Sequence, residues 1–340
     1  MDLDFLLAKV HGLRSKLYAG DALRSLLSVG SLVQLAGTLF PGESFGDHYG
    51  VQRRLAVRHS ARIWQIQQLT SGRRRAVFEW LAMRTLLENL KVLVRCRLLP
   101  ADPLGETARF LVPCPFTPRV ELRDALTARD TAALAGRVPS EALAAGLMTF
   151  EEQFRETENP FYLEVGLDRA YYAELRDRTE RLRFADRDRV GSLPRRDVIG
   201  YNILAALRAR LVHELPPEEV RPLLVEIEPL DAAALDALVG IEKLHELPDL
   251  LPEGCDGYVT YGAKTIDEIE RGMNRRLHRL ASRRFVIDGQ NIGCVAAYCV
   301  LRRVELINLI RIVEGVRQNM DRRELAAKLL ALEPVDALAG

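Results

Sequence analysis

Aromatic side chains are scarce in this chain, at 6% of its 340 residues, and its longest apolar run is only NIGCVAAYCVL, Asn291 to Leu301. Few aromatics argue against the stacking platforms on which single-strand nucleic-acid binders lay their bases. An apolar run of that length falls well short of the roughly 20 residues that span a bilayer. A charge excess is missing too: 48 basic side chains face 47 acidic ones, a formal net charge of +1. A surface built to neutralise phosphates needs a stronger positive bias. The five cysteines, Cys96, Cys114, Cys255, Cys294 and Cys299, are odd in number, scattered and never paired as CxxC. That spacing excludes the common structural zinc sites and reads as reduced, buried thiols. The opening MDLDFLLAKVHGLRSKLYAG carries acids where a signal peptide needs positive charge. The expectation is a chain that is neither secreted nor membrane-spanning.

Catalytic signatures are absent in the same way. The sequence has no GxSxG, HExxH, GxGxxG or DDxxD, and its six histidines are dispersed with none paired at i+4. His48 beside Asp47 is the one histidine in a loop with an acid, which is weak support for acid–base work. GYVTYGAKT, Gly257 to Thr265, approaches the phosphate-cradling GxxxxGK[ST], but Ala263 separates Gly262 from Lys264. Lysine must follow glycine directly for ammonium and backbone amides to converge on one phosphate. A glycine-rich turn before the helix TIDEIERGMNRRLHRL explains the stretch, and no nucleotide, cofactor or metal is expected. The arginine clusters at Arg73–Arg75, Arg195–Arg196, Arg275–Arg284 and Arg302–Arg303 have acids nearby and read as solvated helix faces.

What the chain does have is helical periodicity. Apolar residues recur at three- and four-residue steps in the N-terminal stretch, with breaks at Gly20 and Gly30, and Asp21 and Ser31 stand where N-caps would start new helices. Two long helices are expected between Val51 and Leu99, broken near Ser71–Gly72. YVTYG, Tyr258 to Gly262, is the one weak strand candidate. Prolines mark the joints: Pro100 and Pro103, then Pro113, Pro115 and Pro118, then Pro216–Pro217, and Pro248 and Pro252. They divide the chain into three stretches, 1–112, 113–217 and 218–340.

These stretches resemble one another. EWLAMRTLLENLKVLVRCRLL, PRRDVIGYNILAALRARLVHEL and YCVLRRVELINLIRIVEGVRQ bring Asn89, Asn202 and Asn308 into register, 113 and 106 residues apart. ALRSLLSVGSLVQLAGTL, ELRDALTARDTAALAGRV and PLLVEIEPLDAAALDALVG share a short helix, a break and a second short helix. The reading is an all-α protein of three helical units. An asparagine in an apolar helix is a core polar residue with a hydrogen-bonding partner, so the three are expected to seat one helix against another. Glu88, Lys91 and Arg95 form one polar stripe, expected to be a solvated face.

The stretches AKVHGLRSKLYAGDALRSLLSVGSLVQLAGTL, ENLKVLVRCRL, LDRAYYAEL and AAYCVLRRVELINLIRIVEGVRQNM are similar, in this order, to the family of V-type/A-type ATPase C subunits, whose eukaryotic members are the d subunits. The C-terminal stretch is the most specific, with Glu305, then INLIRI and a terminating Gly315; Ile310 stands between Leu309 and Arg311 where the family has Asn-Leu-Arg. The resemblance implies three helical units around a pseudo-threefold axis, shaped as a funnel. It implies a non-catalytic cytoplasmic adapter, peripheral to the membrane, that joins the central-stalk subunits D and F to the proteolipid ring and transmits rotation. On that reading Arg95, Arg97, Arg208, Arg210, Arg311 and Arg317, near the ends of the three asparagine helices, are candidate partner contacts. The alternative is a helical-repeat scaffold for another protein or nucleic acid.

Overall fold

The computed structural model describes residues 3–96, 110–114, 125 and 127–330. Arg97, the joint prolines Pro100, Pro103, Pro115 and Pro118, and most of the opening ELRDAL of the second short-helix segment lie outside these residues. The described chain is helical from end to end and contains no strand, only an isolated bridge between Ile227 and Leu230. YVTYG is therefore not a strand. Asp256–Tyr258 forms a 3-10 turn, and Tyr258 and Val259 are both buried, which a half-exposed strand with alternating faces does not allow.

The first helices are α1 (Leu3–Arg14), α2 (Asp21–Leu26), α3 (Leu32–Leu39), α4 (His48–Gln68), α5 (Gly72–Ala82) and α6 (Arg84–Cys96). After the first joint come α7 (Thr131–Ala135), α8 (Glu141–Thr149), α9 (Glu151–Thr157), α10 (Phe161–Glu180), α11 (Phe184–Arg189) and α12 (Ser192–Leu211). The last are α13 (Pro217–Val220), α14 (Ala232–Val239), α15 (Leu247–Leu250), α16 (Ile266–Ile287), α17 (Gly293–Arg317) and α18 (Arg322–Lys328). The break at Ser71–Gly72 is present, with Gly72 at φ 57°. A second break at Met83 makes three helices of the expected two. Ser31 caps α3 by accepting from the Gln34 amide, whereas Asp21 is the first residue of α2 and its N-cap is Gly20.

The short-helix segments carry a shared capping device. Ser31, Asp130 and Asp231, which occupy one column of the three aligned segments, each accept from the backbone amide three residues on, at 3.3, 2.7 and 2.9 Å. Each satisfies one of the free amides of a helix start, which fixes where α3, α7 and α14 begin.

The long helices pack in a closed order. α4 packs on α5, and α6 on α10; α10 packs on α12, α12 on α16, α16 on α17, and α17 returns to α4. α17 is buried on nearly every side, since its first turns are the small and apolar residues Gly293 to Leu301. The longest apolar run of the sequence is thus a core helix pressed between neighbours. Among the described residues no helix is long and apolar enough to cross a membrane.

Candidate functional site

The three asparagines are buried, at 1%, 0% and 0% exposure, and each bonds to backbone far along the chain. Asn89 donates from Nδ2 to the Val112 carbonyl and accepts from the Val112 amide, both at 2.8 Å. Asn202 treats Val225 the same way, at 2.6 and 2.8 Å. Asn308 accepts from the Leu330 amide at 2.8 Å, while its Nδ2 has no partner among the described residues. The side-chain amide copies a strand neighbour, offering one acceptor and one donor to a single extended residue. The offsets are 23, 23 and 22 residues, so each asparagine pins the chain that leaves its own helix.

Between the long helices lies a cavity of about 760 Å³. Its walls come from α4, α6, α10, α12, α16 and α17. Ile63, Leu277, Ala296 and Val300 line part of it and belong to a buried apolar cluster. Much of the remaining lining is ionic.

Residues five before each asparagine meet in the middle. These are Arg84, Asp197 and Arg303. Asp197 accepts two hydrogen bonds from Arg303, at 2.5 and 2.7 Å, and Arg84 donates to the Tyr172 hydroxyl at 2.8 Å. Burial works against the Arg303 charge, and Asp197 more than offsets it, so its pKa rises above the ordinary guanidinium value. Burial also lifts the Tyr172 hydroxyl above its usual range and keeps it a neutral hydrogen-bonding group.

Ion pairs cross from the first two asparagine helices to the first long helix of the following stretch. Lys91 meets Asp168 at 2.6 Å, Arg95 grips Glu164 through two bonds of 2.6 Å, and Arg208 meets Glu270 at 2.6 Å. On the third helix the equivalent position is Glu314, which accepts from Gln52 on α4. Glu88 and Arg95 of the Glu88–Lys91–Arg95 stripe are exposed, as expected, but Lys91 is largely covered and both basic members bridge α6 to α10. The Arg302–Arg303 cluster is not solvated. Arg302 is 7% exposed and pairs with buried Glu305, whose other oxygen accepts from the Tyr18 amide.

Every candidate arginine among the described residues is already engaged within the chain. Besides Arg95 and Arg208, Arg210 donates to the Leu215 carbonyl, Arg311 donates to the Lys328 carbonyl, and Arg317 pairs with Glu314. Two channel arginines differ from these. Arg196 lies over the Tyr258 ring, with its guanidinium carbon 5.9 Å from the centroid, and Arg276 donates to the Gly257 carbonyl at 3.0 Å. Sequence pattern puts both on solvated faces; Arg196 is exposed and Arg276 half-buried, and both line the cavity.

His59 on the channel wall is held neutral: desolvation, then the Arg302 and Arg303 charges, bring its pKa down to about 3 from 6.5. A free imidazole binds its proton between those values and the folded one does not. Stability from this group is thus complete above about pH 6.5 and lost as pH falls toward 3. His59→Gln is expected to flatten that part of the acid-denaturation curve, read as the urea midpoint from pH 7 to 4. An unchanged slope would place the acid sensitivity elsewhere.

The long helices thus pack in cyclic order around an ionic cavity, and among the described residues no three His, Cys, Asp or Glu side chains are grouped to hold a metal ion. The chain belongs to the ATP synthase (C/AC39) subunit family, whose family model matches residues 6–328. This is a family of subunits of V/A-type ATPases. No curated protein matches the chain in a direct sequence comparison.

Proposed function

We propose that this chain is the non-catalytic adapter of a rotary V/A-type ATPase, with its channel as the socket for the tip of the central stalk, subunits D and F. The observation that carries the reading is the cavity itself, lined by paired charges and by apolar side chains of a buried cluster. Three units, 1–112, 113–217 and 218–340, surround it about a pseudo-threefold axis. The asparagine clamps, the three caps and the cyclic order of helix packing support that symmetry. A rotor coupling has to be stiff, and clamps that bond each asparagine helix to the chain that follows it oppose shear, the Asn202–Val225 clamp doing so across the boundary between the second and third units. Many modest polar contacts around a cavity orient a partner more than they tighten it.

The face where α16 finishes and α11 begins is proposed to rest on the proteolipid ring. Phe184, Val286 and Ile287 are exposed there at 91%, 78% and 76%, and Arg284–Asp188 links α16 to α11 beneath them. Exposed apolar side chains grouped at one end mark a contact surface. On this reading the chain is cytoplasmic and peripheral, held to the membrane through the ring, and binds neither nucleotide nor nucleic acid.

The test is a blocked socket. Leu204 lines the channel and is only partly buried, so Leu204→Trp fills space without displacing core. The full-length wild-type chain is expected to capture both the stalk and the ring; L204W is expected to keep the ring and lose the stalk. Equal stalk capture by L204W overturns the socket.

A further inference from the structure

The channel lining carries seven arginine and lysine side chains against five carboxylates. Five pairs use every carboxylate: Arg84–Glu88, Lys91–Asp168, Arg95–Glu164, Arg303–Asp197 and Arg208–Glu270. Arg196 and Arg276 are left over, and among the described residues neither has a carboxylate partner. They flank one turn. Arg276 Nη1 donates to the Gly257 carbonyl at 3.0 Å, and Arg196 Nη1 lies 3.4 Å from where a Cβ on Gly257 would stand. The Tyr258 hydroxyl beside them is buried without a hydrogen-bond partner of good geometry among the described residues.

The chain holds its own comparison for this arrangement. At the seam between α17 and α4, Arg58 donates to the Leu39 carbonyl at 3.2 Å and lies over the Phe40 ring, as Arg276 and Arg196 do with Gly257 and Tyr258. Arg302 stands six residues before Asn308, as Arg196 stands six before Asn202. In that seam Glu305, three residues before Asn308, supplies the carboxylate and pairs with Arg302. The position three before Asn202 is Ile199, buried and apolar. The same pair of guanidinium groups thus has an internal acid at one seam and none at the other.

We propose that Arg196 and Arg276, with the Tyr258 hydroxyl, form an anion site in the channel wall, filled by a carboxylate on the segment that enters the channel. The choice of occupant rests on the socket reading; the anion site itself does not. Two donors facing one carboxylate give the charge-assisted geometry that arginine favours.

Inorganic phosphate, added to the full chain at constant ionic strength with chloride as reference, probes the site. The wild-type thermal midpoint is expected to rise with phosphate, and R196Q/R276Q is expected to lose that rise. In stalk capture by the full chain, the double variant is expected to weaken binding at least about tenfold. Ile199→Glu, which copies Glu305, is expected to remove the phosphate response even if it lowers the starting midpoint. An equal phosphate response in wild type and R196Q/R276Q overturns the anion site. A lost response with unchanged stalk affinity overturns the carboxylate occupant in favour of a small free anion. A wild-type chain that responds to phosphate yet captures no stalk overturns the socket reading and leaves the anion site standing.

Discussion

Replacing Asn202 by leucine is expected to cost about 3 kcal/mol of folding stability, because it strands both the amide and the carbonyl of buried Val225. Leucine is close to asparagine in size and more apolar, so no cavity accounts for the loss. The polar groups of Val225 have no water to turn to, since Val225 is 3% exposed. Asn308→Leu is expected to cost less, about 1–2 kcal/mol, because among the described residues only the Leu330 amide loses its acceptor and the Nδ2 has no partner to leave behind. The ordering is the sharper test. Urea unfolding that ranks N308L as the more damaging variant would show that the clamp at Leu330 is the tighter one. Asn202→Asp separates charge from shape: protonated it keeps both an acceptor and a donor for Val225, so its stability is expected to rise as pH falls, while the ionised carboxylate, buried against a carbonyl, is expected to be at least as damaging as leucine.

The second large effect is expected at the ionic centre. Asp197→Ala leaves Arg303 without its carboxylate at a place where the two side chains are only 19% and 13% exposed. Removing one member of a buried pair costs about 3–5 kcal/mol, mostly for the uncompensated charge left behind. Arg303 also sits near Arg84, so the loss of Asp197 adds repulsion between like charges. The double variant Asp197→Leu with Arg303→Met is expected to recover most of that stability, since neither charge remains to be desolvated. The comparison is made by urea midpoint at neutral pH. A double variant as unstable as D197A would mean that the pair is held for packing and not for charge. Arg95→Ala makes a useful contrast, because Arg95 is 62% exposed and its pair with Glu164 is screened by water.

Several features are legible in the sequence because they are local. The all-helical character follows from three- and four-residue spacing of apolar side chains, which needs no knowledge of neighbours. Asn89, Asn202 and Asn308 stand out because a polar residue in an apolar helix face has to be satisfied somewhere. The aligned short segments place Ser31, Asp130 and Asp231 in one column, and the structure uses all three as caps. The resemblance to an ATPase component is carried by ordered stretches along the whole chain, and the family model covers residues 6–328.

The charges are another matter. Whether an arginine is solvated, paired or aimed into a channel depends on what the facing helix brings, and those partners are 69 residues away for Arg95, 62 for Arg208 and 106 for Arg303. Periodicity gives the face of a helix but not the helix that covers it. Pattern alone assigns Lys91, Arg95, Arg196, Arg276, Arg302 and Arg303 to solvent; Arg95 and Arg196 are indeed exposed, whereas Lys91, Arg276, Arg302 and Arg303 are covered to differing degrees by facing helices. The sequence by itself determined that helices form, where several begin, and which asparagines need partners, since each follows from chemistry within a few turns. Only the tertiary structure decided which charges cancel and which remain, because pairing energies fall off within a few ångströms and the chain brings the partners together only on folding.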